Sequence, residues 1–277
     1  MRPIPIQSAA LAVMIALLGT GAGSAAQTSQ SDGPERRPPV ITPPAVVPFG
    51  PGEDLRYKVH LGKISVGDAY LRVEAVDTVR GYPSYHLAMG IDGSAMFGAL
   101  QIHDRYDSWL DLGMLVSRRF HRRIHEVNYR SRRYYEIYPE EGRWTRVGHE
   151  EEGETPTVLA LDELSFIYYA RTLPLEVGES YELNRYFKID GNPVRVRVLR
   201  KERILVPAGE FDTIVVQPTF QTSGLFSEGG EAEIYLSDDE SRFLVLLTSK
   251  MPVVGSLSLH LTVATPGTPV AGAAPGR

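Results

Sequence analysis

The chain has 277 residues, 43% of them hydrophobic and 23% charged, with a formal net charge of -5. That apolar fraction supports a folded core and excludes a wholly disordered chain, while the mild acidity argues against nucleic acid, which selects strongly basic domains. There is no cysteine, which excludes disulfides, thiolate metal sites, iron–sulfur clusters and cysteine nucleophiles together.

The start reads as an export signal. Arg2 supplies positive charge, Ala9 to Leu18 is an almost unbroken apolar run, and Ser24 and Ala26 are the small residues of a cleavage site, giving a signal over residues 1–26. The run is too short for a stable membrane anchor, and no later segment approaches about 18 apolar residues. The cysteine of a bacterial lipoprotein is missing. The expected mature chain is therefore periplasmic and soluble, without a lipid anchor or transmembrane segment. Residues 27–48 are rich in Ser, Gln and Pro and read as a disordered leader. A single β-rich domain is expected over 49–263 and a flexible tail over 264–277.

Within the domain, apolar residues recur at every second position. Leu55, Tyr57, Val59 and Leu61 lead to a turn at Gly62-Lys63, followed by Ala69, Leu71, Val73 and Ala75. Tyr85, Leu87, Met89 and Ile91 repeat the pattern. Such alternation broken by a glycine turn predicts hairpins. Asp162 can cap a short helix over 163–171 that carries Leu164, Ile167, Tyr168 and Arg171 on one face and stops before Pro174. The second half continues in strands: Val194 to Val198, a turn over 206–209, Thr213 to Gln217, and Ala232 to Leu236. A turn over 237–240 then leads to Phe243–Leu247, apolar at every position, and to Leu257–Val263. The expected fold is all-β and mainly antiparallel: a two-lobed curved sheet, a sandwich or a partly open barrel, with one short helix.

Four phrases carry a resemblance. They are GEDLRYKVHLGKISVGDAYLRV (52–73), LDELSFIYYARTLPLEVGESY (161–181), VPAGEFDTIVVQP (206–218) and IYLSDDESRFLVLLTSKMPVVGSLSLHL (234–261). In order and spacing they resemble the bacterial domain-of-unknown-function family numbered 3108. The resemblance implies an exported envelope protein and brings no catalytic residues with it.

The most unusual stretch runs from Arg118 to Arg133, with seven arginines against the single acid Glu126. Tyr129, Tyr134, Tyr135 and Tyr138 lie in or beside it, and Trp144 and Arg146 follow. Guanidinium groups hold phosphates and carboxylates bidentately, and tyrosines stack on sugars or on arginines. One reading is a docking face for an anionic lipid or glycan. The other is a solvated face, or a cluster neutralised by the acidic segment 150–154. A long hairpin is preferred here over a basic amphipathic helix.

His121 and His125 would lie on one face of a strand but too far apart for a single ion. Asp104 and Asp107 would fall on opposite faces, which disfavours a pair of catalytic acids. Arg171 either serves the helix end or pairs with a core acid, or else contacts an anion between helix and sheet. These readings predict a non-enzymatic exported envelope protein that binds or helps handle an apolar or anionic cell-surface molecule, lipid or glycan. Its candidate ligand-binding residues are Arg122, Arg123, Tyr129, Tyr135, Tyr168 and Arg171. No catalytic residue, metal ligand or cofactor is assigned, and nucleic acid is not expected as a partner. The alternatives are a hydrolase acting on glycan or lipid, and an envelope assembly protein whose Arg/Tyr hairpin meets a protein partner.

Overall fold

The structure is a computed structural model and describes residues 47–95, 100–126, 129–219, 231–251 and 255–270. The expected signal and most of the leader, residues 1–46, and the end of the tail, residues 271–277, lie outside them. The first half of the chain forms β1 (Asp54–Leu61), β2 (Ile64–Val79), β3 (Tyr82–Ala95), β4 (Leu100–Asp111), β5 (Ser117–Glu126), β6 (Tyr129–Tyr138), β7 (Arg143–Arg146) and β8 (Glu152–Glu154). After helix α1 (Glu163–Ala170) come β9 (Ser180–Leu183), β10 (Val194–Val206), β11 (Gly209–Thr219), β12 (Glu231–Ser237), β13 (Leu244–Met251) and β14 (Gly255–Thr265).

The strands make one 14-stranded antiparallel sheet in which each half runs in sequence order and the halves meet where β1 pairs with β14. The two expected lobes are thus the two halves of a continuous sheet. It is not closed into a barrel: β8 and β9 are its two edges. Alternation sets one face inward. Leu55, Tyr57 and Val59, Ala69, Leu71 and Val73, and Tyr85, Leu87, Met89 and Ile91 are all buried in a single core cluster. Gly62 (φ 59°) and Gly209 (φ 133°) make the two hairpin turns marked by glycine, in backbone regions costly for other residues.

Helix α1 lies across this inner face. Asp162 Oδ1 accepts the N–H groups of Leu164 and Ser165 at 2.9 Å each, the capping bonds expected of an Asp before a helix. The helix buries more than one stripe: Glu163, Ser165, Phe166, Tyr169 and Ala170 are covered along with Leu164 and Tyr168. The extra cover comes from the chain after β9. Leu161 forms a parallel bridge with Tyr186, and the Arg185 side chain donates to the carbonyls of Leu159 (2.6 Å) and Leu115 (2.7 Å).

Beneath the helix, Ser108 Oγ donates to Asp162 Oδ2 at 2.6 Å, while Ser117 Oγ accepts the Asp162 N–H and donates to Ser165 Oγ, both at 2.8 Å. Side chains therefore fill the space between helix and sheet. Part of the expected tail is also packed: β14 runs to Thr265, and Thr268 N–H donates to Pro51 at 3.0 Å. Gly267 permits this close approach, because a Cβ there would meet Gly50 O at 2.0 Å. Among the described residues, no helix is long and apolar enough to cross a membrane.

Candidate functional site

The arginine-rich stretch is the β5–β6 hairpin. Its register places Arg122 opposite Arg133 and Arg123 opposite Arg132, two successive rungs of like charge on opposite faces of the sheet. Near the stem the arginines have carboxylate partners. Arg118 donates to Asp111 Oδ2 (2.7 Å) and Glu140 Oε1 (2.9 Å), Arg119 to Glu136 Oε1 (2.6 Å), and Arg123 to Asp107 Oδ2 (2.7 Å). Toward the tip, the side chains of Arg130, Arg132 and Arg133 have no ion pair or hydrogen bond among the described residues. The acidic segment serves elsewhere: Glu151 binds Arg146 at 2.7 Å and lies 3.5 Å from Lys188.

The inner rung faces a buried polar wall. Arg122 is 2% exposed and lies across from Tyr106, with its guanidinium 6.0 Å from that ring. Two residues back on β4, Asp104 accepts His125 N–H at 3.0 Å through Oδ1, while its buried Oδ2 has no donor among the described residues. Burial pushes the Asp104 carboxyl up to about 6, against the pull of that N–H and of Arg122.

Glu163, at the start of α1, completes the wall. Tyr186 Oη donates to its Oε1 at 2.6 Å, and its Oε2 has no donor among the described residues. Burial raises this carboxyl to about 7, opposed by the Tyr186 bond and by Arg122. Arg133 is half-buried, and its Nε is covered without an acceptor among the described residues.

On the outer rung, Arg123 is neutralised by Asp107. Burial would raise Asp107, but the bonds from His86, Arg105 and Arg123 outweigh it and hold its carboxyl well below the usual range. His86 stacks on Trp109 at 4.5 Å, and Trp109 Nε1 donates to Asp77 Oδ2 at 3.0 Å. Arg119 lies 5.4 Å from the Trp109 ring and His121 packs at 4.9 Å, so Trp109 belongs to a cross-strand ladder, not an open platform. Burial and the neighbouring Arg119 lower the His121 pKa. Asp104 and Asp107 do lie on opposite faces, one inside and one outside.

The six candidate residues do not converge on one place. Arg122 and Tyr135 share the inner face, and Tyr129, 38% exposed, sits at the hairpin tip on the same register. Tyr135 packs against Trp144 (5.6 Å) and Phe187 (5.3 Å), and Lys188 Nζ donates to its hydroxyl at 3.3 Å. Arg123 is on the outer face. Tyr168 is a core residue against Phe49 at 5.0 Å. Arg171 forms a buried two-pronged ion pair with Glu53, both bonds 2.7 Å, and donates to the carbonyls of Pro48 and Ser241. This pair lies at a cleft of about 740 Å³ formed where Pro48, Ser241 and Pro266 meet. Glu163 and Arg133 were not among the candidates. Alternation along β6 sets Arg133 on the Tyr135 face, but Glu163 reads locally as an ordinary first-turn helix residue.

A family profile for a protein of unknown function, DUF3108, matches residues 56–262. The chain belongs to the DUF3108 family. The match runs from β1 into β14 and includes the arginine-rich hairpin. No curated protein matches the sequence. Among solved structures, the hypothetical protein CT021 from Chlamydia trachomatis aligns with TM-score 0.37 and 9% identity, covering 82% of this chain and 93% of that one. BF2203 from Bacteroides fragilis, described as having a YmcC-like fold, aligns with TM-score 0.30 and 9% identity over 79% of this chain and 98% of that one. In this DUF3108 member, Arg133, Asp104 and Glu163 are thus among the described residues with a buried polar atom left without a partner.

Proposed function

We propose that this protein is a non-enzymatic exported envelope protein that binds an anionic cell-surface molecule, lipid or glycan, at the distal half of the β5–β6 hairpin. The observation that carries this reading is the pair of arginine rungs. Like charges directly opposite on a sheet are destabilising. Stem arginines escape that cost through Asp111, Glu136 and Glu140, whereas Arg130, Arg132 and Arg133 have no such partner among the described residues. A phosphate or carboxylate supplied from outside relieves the repulsion, and guanidinium forks suit both groups. Tyr129 adds an exposed ring beside them. The apolar start from Ala9 to Leu18 supports export.

The test is native mass spectrometry, with lipid and glycan extraction, on protein purified from its own envelope. Wild-type protein is expected to carry an anionic adduct that Arg130→Glu/Arg132→Glu/Arg133→Glu protein lacks. The adduct's extraction class separates a lipid source from a glycan. Equal adducts on both proteins, or none on either, would contradict the reading.

A further inference from the structure

We infer that the anion taken at the hairpin is a phosphomonoester borne on a sugar or polyol, held on the outer face of the sheet. This rests on the anion-binding reading above and names the ligand class and its place. Two rows of basic side chains cross three strands there. Arg105 on β4, Arg123 on β5 and Arg132 on β6 are successive register partners. In the next row toward the tip, His125 stands opposite Arg130, and the His103 ring from β4 lies 5.9 Å from the His125 ring. Arg105 is half-buried and the other five are exposed, so the array is open to a ligand. Strands about 5 Å apart, with about 7 Å between rows, put the side chains of His125, Arg130 and Arg132 within reach of one phosphate.

Charge and donors both favour a doubly charged phosphate. Among the described residues the carboxylates in contact with the array are Asp107, which takes Arg105 at 2.8 Å and Arg123 at 2.7 Å, and Asp92, 2.8 Å from His103 Nδ1. Four guanidinium groups against these two carboxylates leave a net charge of +2 before the imidazoles are counted. The side chains of His125, Arg130 and Arg132 have no ion pair or hydrogen bond among the described residues. A phosphomonoester carries close to two charges and three terminal oxygens, one for each of these side chains, whereas a diester has one charge and two such oxygens. The body of the ligand has a place as well. A cavity of about 530 Å³ adjoins the array and shares Asp92 and His103 with it. Its lining also includes Ser65, Asp68, Ser94 and Gln101, donors and acceptors suited to hydroxyl groups and not to an acyl chain.

The experiment is calorimetric titration of the full chain at pH 8 with glucose 1-phosphate, its methyl diester and methyl phosphate. The diester removes one charge and one terminal oxygen, and methyl phosphate removes the sugar. Glucose 1-phosphate is expected to bind at least about tenfold more tightly than either of the others. In Arg130→Gln/Arg132→Gln protein the preference over the diester should disappear. In Ser94→Ala/Gln101→Ala protein the preference over methyl phosphate should disappear instead. All four residues are exposed, and urea unfolding checks that each variant folds.

Wild-type binding no tighter to glucose 1-phosphate than to its diester, or than to methyl phosphate, overturns the inference and leaves the anion-binding reading standing. A preference over the diester that survives in the arginine variant overturns it as well, because the phosphate then sits elsewhere. Failure of all three compounds to bind overturns both readings. Phosphatidate vesicles distinguish the source: displacement of bound glucose 1-phosphate marks a lipid-borne phosphate, and its retention marks a free or glycan-borne one.

Discussion

Arg122 and Arg133 stand directly opposite each other across β5 and β6, and one rung nearer the tip Arg123 faces Arg132 in the same way. The two rungs differ in what surrounds them. Arg123 reaches Asp107 at 2.7 Å on the outer face, whereas the inner rung meets Asp104 and Glu163, whose carboxyls burial has raised. Carboxylates thus hold Arg118, Arg119 and Arg123 on β5, and among the described residues none holds Arg130, Arg132 or Arg133 on β6.

Reversing one tip charge is expected to stabilise the protein. Arg132→Glu replaces a like-charge rung by an opposite-charge one, a gain of about 0.5 kcal/mol. Urea unfolding at low salt measures it, and a loss of stability would mean that Arg132 already has a favourable partner. The same substitution is expected to weaken anion binding.

Arg171 is expected to act through folding. Its pair with Glu53 is buried, so Glu53→Gln leaves a buried guanidinium short of charge and should cost about 3–5 kcal/mol. Combining it with Arg171→Met should cost less than the sum of the two single changes. Chemical denaturation of the three variants gives the coupling. Additive effects would argue that Arg171 makes its main contact with something other than Glu53.

Glu163 gives a pH dependence of defined sign. Its carboxyl stands at about 7 in the fold against an ordinary value of 4.5, so the folded state holds the proton more tightly. The stability this contributes is fully present below about 4.5 and is lost as pH rises through about 7. The groups acting on it are Asp162 on its own element's cap, Tyr186 on the covering segment and Arg122 on β5. Asp107 works in the opposite sense: its lowered carboxyl contributes stability that disappears as pH falls below the ordinary range. Glu163→Gln protein should therefore gain relative to wild type between pH 5 and pH 8. A stability difference that stays constant across that interval would contradict the assignment.

Asp162 joins the helix start to the sheet. Asp162→Ala removes two capping bonds and leaves Ser108 without its carboxylate acceptor, an expected cost of about 3 kcal/mol. Asp162→Asn, which keeps the shape and one acceptor, should lose less. Thermal unfolding of both variants compares them, and equal losses would assign the effect to charge.

Local pattern made much of this fold legible. Alternation at Leu55–Val59 and Tyr85–Ile91 marked the inner face, glycine marked two turns, and Asp162 marked the helix start. What remained hidden depends on distance in sequence. Glu53 and Arg171 are separated by 118 positions, and β1 beside β14 follows from no neighbouring pattern. Tyr168 suited a ligand contact because it lies on the helix face turned toward the sheet. Phe49 packs against it there at 5.0 Å, and nothing within the helix signals that residue's arrival. The arginine count was plain in the sequence, but its meaning needed the register, which separates compensated from uncompensated positions on one hairpin.

Vesicle binding across a salt series tests the central claim most directly. Wild-type protein is expected to bind vesicles containing phosphatidylglycerol at low salt and to release them as salt rises, since the contact is ionic. Arg130→Glu/Arg132→Glu/Arg133→Glu protein should fold with an unchanged unfolding midpoint or a slightly higher one, and fail to bind. Retained binding by this variant, or no binding by wild type to these vesicles or to an acidic envelope glycan under the same conditions, would contradict the account.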